Sequence, residues 1–302
     1  MTEPSGILII NKHAGVTSHD IVGKVRRLFN TRRVGHTGTL DPLATGVLVV
    51  LIGRAAKAAE YLNADTKRYI ARLRLGITTD TEDISGNILS TSKDIPSYNN
   101  ILSVCKDFMG EIEQVPPMYS ALKIGGQKLC DLARKGVTVD RPSRPVTIYS
   151  LDCIPTDIPN DFILDVSCSS GTYIRTLCAD IGARLGCGGV MAELDRTQVA
   201  AFCKEDSVTV SELEEMSIDD RIKHLIPTEH LFDAYPAVKL SNFFEKLCRS
   251  GCEIYQKKIG TSFDIGMRIR ICSESGKFFA LGEIREYPNG SAIKALKTFD
   301  LN

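Results

Sequence analysis

At 302 residues, with 43% hydrophobic and 25% charged residues, the chain has the composition of an ordinary folded protein, which excludes a disordered polyelectrolyte and a fibrous repeat. Its 37 basic and 37 acidic residues cancel, so net charge alone gives no case for a polyanionic partner. Ten cysteines without a Cys-x-x-Cys pair, and five histidines away from metal-ligand spacing, exclude a zinc module and lead us to expect reduced thiols in a cytoplasmic protein with no metal.

The length predicts two unequal domains. Near the start, Glu3, Pro4 and Gly6 precede an apolar run, Ile7 to Ile10, that is too short for an export signal or a membrane span. That run reads as a strand. A loop through Gly15 then leads to a helix capped by Thr17 or Ser18 and ending near Phe29, with Ile21, Val22, Val25 and Leu28 on one face. After a glycine-rich segment come a strand, Val47 to Ile52, and a helix from about Arg54 to Leu62. The alternating run Arg68 to Leu75 predicts a half-buried strand with its arginines on the open face.

Residues Ile77 to Tyr98, rich in Thr, Asp, Ser and Gly, read as a long surface loop. A helix near Ile101 to Met109, strands near Val146 to Leu151 and Phe162 to Ser167, and a helix from about Thr172 to Leu185-Gly186 follow. The acidic segment 205 to 220 and the stretch Pro227 to Pro236 read as a connection. Strand-like runs Met267 to Ile271 and Phe278 to Ile284 then mark a small β-rich domain at about 235–302. The pattern is α+β, with a mixed, largely antiparallel sheet and flanking helices.

Charge is segregated along the chain. Lys24, Arg26, Arg27, Arg32 and Arg33 stand without an acid among them, whereas residues 205 to 220 hold Glu205, Asp206, Glu212, Glu214, Glu215, Asp219 and Asp220 without a base. One face can therefore be basic while the total is zero, although both runs are equally well read as solvated helix faces.

Asp41 is the sole acid between Asp20 and Glu60, among Arg26, Arg27, Arg32, Arg33, His36, Arg54 and Lys57. A lone carboxylate suits covalent catalysis better than glycoside hydrolysis, which needs a second carboxylate about 5 to 9 Å away; in sequence Asp80, Glu82 and Asp83 are the near candidates. Taken alone, Asp41-Pro42 reads first as a turn with an aspartate cap. Gly35 and Gly38 match neither a phosphate-binding loop nor a dinucleotide fingerprint.

The twelve residues Gly35-His36-Thr37-Gly38-Thr39-Leu40-Asp41-Pro42-Leu43-Ala44-Thr45-Gly46 resemble the catalytic motif of the TruB family of tRNA pseudouridine synthases. Asn11-Lys12 with Gly15 and Ser18, Lys67-Arg68-Tyr69, Gly171-Thr172-Tyr173-Ile174-Arg175-Thr176 and the run Leu185 to Leu194 fit in chain order. The resemblance covers about residues 5 to 200. It implies a pseudouridine synthase fold over 1–232 followed by a PUA-like RNA-binding domain at 235–302. It also implies isomerisation of uridine-55 in the T loop of tRNA by a monomer that needs no cofactor, membrane or protein partner. On this resemblance Asp41 is the nucleophile, Tyr69 stacks on the uracil, Arg175 pairs with Asp41, and His36, Tyr173 and Leu194 enclose the flipped nucleotide. Burial would raise the Asp41 pKa and a neighbouring arginine would offset this by roughly 1 to 3 units. The sequence departs from the pattern at His13, Ser170 and Asp195, the last two removing positive charge along the expected RNA path. A module that binds or folds tRNA without chemistry is the alternative, and a guide-RNA-dependent relative would carry lysine-rich tails absent here.

Overall fold

The computed structural model describes residues 4–61 and 66–299. The first apolar run forms strand β1 (Gly6–Lys12) and leads into helix α1 (Ser18–Leu28). Thr17 caps α1: its hydroxyl accepts from the Asp20 amide while the Asp20 carboxylate accepts from the Thr17 amide. Two amides that a helix start leaves without partners are thereby satisfied. Ile21, Val22 and Val25 are buried beneath α1, and Arg26 and Arg27 are exposed on it. Strands β2 (Val34–His36) and β3 (Thr45–Ile52) bracket the twelve-residue motif. The helix expected from Arg54 is a 3-10 helix over Gly53–Tyr61, whose buried Ala55 and Ala58 let it lie close on the sheet; Leu62 falls outside the described residues.

Strand β4 (Lys67–Leu75) alternates as expected. Tyr69, Ala71, Leu73 and Leu75 are buried, while Arg68, Arg72 and Arg74 on the other face pair with Asp165, Glu193 and Asp161. The expected loop from Ile77 to Tyr98 is instead a hairpin, β5 (Ile77–Thr79) with β6 (Ile88–Thr91). Its polar residues close the tip: Asp80 accepts from the backbone and side chain of Asn87, and Asp83 accepts from the Ser85 amide. A side chain at Gly86 would lie 2.3 Å from the Thr81 hydroxyl. The composition that reads as a loop is here the composition of a tight tip.

Helix α2 (Tyr98–Asp107), strand β7 (Gly110–Gln114), the hairpin β8 (Lys123–Ile124) and β9 (Gln127–Lys128), and helix α3 (Leu129–Arg134) precede the long strands β10 (Arg144–Pro155) and β11 (Asp161–Cys168). Helix α4 (Ile174–Arg184), β12 (Gly189–Val199) and β13 (Phe202–Cys203) complete the large sheet, ordered β1-β3-β12-β4-β11-β10-β7, with β2 on β3 and β13 on β12. Every pairing is antiparallel except β3 with β12, which join at Thr45–Asp195 and Gly46–Arg196. Helices α1, α2 and α4 cover one face over a core that includes Leu48, Val50, Tyr69, Leu73, Leu164, Leu177 and Leu194. Helix α4 sits tightly on β12, since a side chain at Gly182 would come within 2.1 Å of the Gly189 amide nitrogen.

The acidic stretch is more than a connection. The Val208 amide donates to the Ile9 carbonyl and the Ile226 amide to that of Ile7, so this segment closes the free edge of β1. Between them lie helices α5 (Val210–Glu215) and α6 (Ile218–Lys223), with Val210 and Leu213 in the main core. Glu212 and Asp220 serve as helix N-terminal caps with Thr209 and Ser217, a placement the helix dipole favours. Arg221 donates to the Leu28 carbonyl at the end of α1. Helix α1, which carries part of the basic run, and helix α5 in the acidic stretch are thus neighbours in space.

Residues 237–299 form a second sheet. Strands β14 (Ala237–Lys239), β15 (Ile254–Tyr255), β16 (Arg268–Cys272), β17 (Phe278–Arg285) and β18 (Ala292–Thr298) run in the order β14-β16-β17-β18-β15, with helices α7 (Asn242–Arg249) and α8 (Gln256–Ile259). It has its own core around Leu240, Ile269, Ile271, Phe279 and Ile293. Phe232, Phe278 and Phe299, with Ala58 and Tyr61, pack it against the 3-10 helix of the large sheet. Residues 300–302 of the expected β-rich domain lie outside the described residues. All ten cysteines are free, seven of them buried.

Candidate active site

The motif between β2 and β3 is a loop held from several sides. The Lys12 ammonium, fully buried, donates to the carbonyls of His13, Val16 and Pro42. The Gly15 amide also donates to the Pro42 carbonyl, and the Ser18 hydroxyl accepts from the Leu40 amide at 2.8 Å. The Ala44 amide donates to the Asp41 carbonyl, so Asp41-Pro42 is a turn as its local sequence suggests. At the far end Gly46 has φ +97°, and a side chain there would lie 2.3 Å from the Arg196 carbonyl oxygen. Glycine is required where β3 meets β12.

Asp41 projects from this turn onto Arg175. The Arg175 Nε lies 2.9 Å from Asp41 Oδ2, and its Nη2 donates to Oδ1 at 3.3 Å. The Asp41 side chain remains 34% exposed, whereas that of Arg175 is 4% exposed. Arg175 is fixed further by the carbonyls of Tyr119 and Thr81. Burial pushes the Asp41 carboxyl above the ordinary carboxylate range; the Arg175 guanidinium opposes this and the Asp83 carboxylate adds to it. The arginine therefore offsets the desolvation only in part.

Asp83 is the second acid at the site. It is buried, 3.8 Å from Arg175 Nη1, and its Oδ1 accepts from Thr81, from the Ser85 amide and from the Ser85 hydroxyl. Glu82 accepts from the Thr176 hydroxyl, and burial raises its carboxyl. A glycoside hydrolase needs two carboxyls facing its substrate, and Asp83 is committed to the hairpin tip and shares its guanidinium with Asp41.

Tyr69 lies on the inner face of β4, 7% exposed, directly across from Arg196 of β12. Burial pushes its phenol up, and the charge of the nearby Arg196 guanidinium works against this. His36, at the end of β2, is half-buried with no partner for Nδ1. Burial, then the positive charges of Arg196 and His19, lower its pKa, which favours the neutral imidazole. Leu194 is buried on β12. Tyr173 precedes α4 and is clamped through its backbone by the Gln114 amide group; its ring lies 5.3 Å from the Arg144 guanidinium. The fold thus brings Asp41 onto Arg175 and sets Tyr69 and His36 within the field of Arg196, while Tyr173 is engaged by Gln114 and Arg144.

Comparison with known proteins places the whole chain in a family. The model described as TruB family pseudouridylate synthase (N terminal domain) matches residues 26–174, and the tRNA pseudouridylate synthase B C-terminal domain matches 175–233. The tRNA pseudouridine synthase B of Clostridium novyi (strain NT) is 43% identical over 278 residues, 92% of this chain and 95% of its own length. That of Alkaliphilus oremlandii (strain OhILAs) is 42% identical over 296 residues, 97% and 98% of the two chains. The chain belongs to the TruB family. A chain of the solved Cbf5-Nop10-Gar1 complex superposes with a TM-score of 0.74 at 26% identity, over 98% of this chain and 85% of that one. The protein is therefore an enzyme of the pseudouridine synthase class. The two TruB family matches meet inside α4 and divide one sheet, since β12 in the second pairs with β3 and β4 in the first.

The departures from the TruB pattern are accommodated structurally. Ser170 accepts from the Lys67 ammonium at 3.0 Å. Asp195 accepts from the Lys204 ammonium and the Thr45 hydroxyl, both at 2.7 Å. The Asp195 carboxylate is therefore neutralised by Lys204 nine residues on. His13 is exposed, its Nδ1 2.8 Å from the Ala14 carbonyl oxygen. Sequence reasoning gave no role to Lys12 or Arg196, and named Asp83 only as a candidate second carboxylate for glycoside hydrolysis. Lys12 sits in the Asn11-Lys12 segment of the TruB pattern, which was the available signal. Arg196, in the run Asp195-Arg196-Thr197, carries no signal, because a buried arginine and a solvated one read alike.

Proposed function

We propose that this enzyme isomerises uridine to pseudouridine in tRNA, at uridine-55 of the T loop, with Asp41 as the nucleophile. The observation that carries the reading is the carboxylate of Asp41, one-third exposed and gripped at both oxygens by an arginine that is itself buried. One side of the nucleophile is fixed and the other is free to meet a substrate. The names of the curated TruB relatives support tRNA as the substrate.

The reaction breaks the C1′–N1 bond, turns the retained uracil and closes a C1′–C5 bond; C5 loses a proton and N1 gains one. It is a net isomerisation and needs no cofactor. Asp41 serves by either of two routes, addition to C6 of the base or displacement at C1′, and Arg175 stabilises the ionised form in both. The target must leave its stack at a cost of a few kcal/mol, which is smallest in a loop. Tyr69 offers its ring to the uracil and a hydroxyl to the moving proton, while His36, Leu194 and Tyr173 enclose the nucleotide. Residues up to 232 act as the catalytic domain and those from 235 as a PUA-like RNA-binding domain.

The test uses a tRNA transcript tritiated at C5 of uridine. Wild-type enzyme releases tritium and Asp41→Asn does not. Absence of release by the wild type, or equal release by the variant, refutes the proposal. Primer extension after carbodiimide treatment locates the modified position; a stop elsewhere than uridine-55 corrects the site. An enzyme that binds tRNA tightly but releases nothing is the non-catalytic module.

A further inference from the structure

Arg196 is a fully buried cation, the largest side chain so enclosed in the described residues. Such a charge is costly unless its donors are engaged. Its Nε donates to the Val47 carbonyl at 2.8 Å and its Nη2 to the Gly38 carbonyl at 3.0 Å. Val47 is on β3 and Gly38 on the motif loop, so the guanidinium is anchored on two independent segments. The strand register places Arg196 between Gly46 and Tyr69 on its two neighbouring strands. Paired residues of adjacent strands project to one face, so Arg196 and Tyr69 point into the same space. A side chain at Gly38 would meet Lys67 Nζ at 3.5 Å and Arg196 Nη1 at 3.6 Å, ordinary contact distances, so the loop lies against the guanidinium.

We propose that Arg196 is a positioning residue for the known reaction: anchored on Gly38 and Val47, it fixes the hydroxyl of Tyr69 relative to the loop that carries Asp41. This rests on the uridine-isomerisation reading above. Two carbonyls take the Nε and Nη2 donors and set the guanidinium plane, leaving Nη1 for the phenol. The guanidinium charge also opposes the effect of burial on the Tyr69 hydroxyl. The motif loop has separate supports in Lys12, Gly15 and Ser18, which distinguishes the function of Arg196 from simply holding that loop. The positioning matters in the chemical step, when the hydroxyl must meet a moving proton.

The experiment measures kcat and KM for tritium release by wild type, Arg196→Lys, Arg196→Met, Tyr69→Phe and the double variants, each with its urea midpoint. Lysine preserves the buried charge and loses the fork, so it keeps the test alive if the methionine variant does not fold. We expect Arg196→Lys and Arg196→Met to lower kcat by about tenfold or more with KM within about threefold. In the Tyr69→Phe background, where there is no hydroxyl to position, the same changes cost less than about threefold. Wild-type kcat in the variants, or an equal loss factor in both backgrounds, overturns the assignment. Wild type without tritium release overturns the uridine reading and this assignment together. Release that depends on Asp41, with additive Arg196 losses, overturns this assignment alone.

Discussion

Replacing Arg175 with methionine removes the group that keeps Asp41 ionised, and the structure sets the size of the effect. Arg175 contacts both Asp41 oxygens, at 2.9 and 3.3 Å, and lies 3.8 Å from Asp83. An opposite charge at such range holds a carboxyl pKa down by about 1 to 3 units, worth about 1.4 to 4 kcal/mol in favour of the ionised form. Burial and Asp83 already push Asp41 up, so loss of the guanidinium sends it higher still. The acid limb of kcat in Arg175→Met therefore moves toward alkaline pH by about 1 to 3 units, and below it the rate falls about tenfold per unit. Arg175→Lys, which keeps a charge without the fork, gives a smaller shift. The variant is also destabilised by about 3 kcal/mol or more, since two acids and two carbonyls lose a buried partner. A carboxyl raised in the folded state binds its proton more readily there than when unfolded, so the variant loses stability as pH rises from the unfolded pKa through the folded one. Single-turnover tritium release and urea unfolding between about pH 5 and 9 measure both effects. An acid limb that coincides with that of the wild type refutes the electrostatic role of Arg175.

Three further outcomes follow from the same neighbourhood. Burial brings Lys12 from 10.5 to about 8; between those values the unfolded chain binds more protons, so wild-type stability gains up to about 3 kcal/mol from this group as pH rises. That component of the slope in urea unfolding disappears in Lys12→Met. Gly46→Ala, with φ +97° and a clash at 2.3 Å, costs about 3 kcal/mol or more in chemical denaturation. Gly15→Ala, with φ +87° and open space around it, costs about 1 kcal/mol. Asp195→Arg, placing a basic residue where the TruB pattern has one, lowers stability in urea unfolding by about 1 kcal/mol, because Lys204 and the Thr45 hydroxyl lose their partner and two cations are left side by side.

Asp41, Tyr69 and Arg175 could be singled out as candidates because each lies in a short contiguous segment whose pattern survives as text, and the structure pairs the first with the last. The alternation of Arg68, Arg72 and Arg74 was legible for a physical reason, since a two-residue period assigns faces. Their partners were not, because Asp161, Asp165 and Glu193 are brought opposite by strand register, which depends on pairings distant in sequence. The same limit hid the hairpin at Ile77–Thr91: Thr, Asp, Ser and Gly favour both an open loop and a hydrogen-bonded tip, and Asp83 beside Arg175 decides between them only in three dimensions. The acidic stretch misled in another way. Glu212 and Asp220 are acidic because they cap helix starts, and apolar Val208, Val210 and Leu213 between the acids anchor the segment on β1 and α1.

The one parallel pairing of the large sheet explains how these parts meet. Strand β12 joins β3 only at Thr45 and Gly46, where the motif loop ends, and β2 takes the same edge further along at Val50 to Ile52. The loop must therefore leave the sheet between β2 and β12, directly over the position where β12 also pairs with β4. At that crossing Arg196 faces Gly46 on one side and Tyr69 on the other. Asp41 is held above it by a residue from α4, the helix that packs on β12 through Gly182 and Gly189. Asp41, Tyr69 and both arginines are thus referred to a single strand, and a displacement of β12 moves Arg196 directly and Arg175 through α4. This coupling makes substitutions in β12 far from Asp41, such as those at Gly189, act on the reaction as well as on the fold.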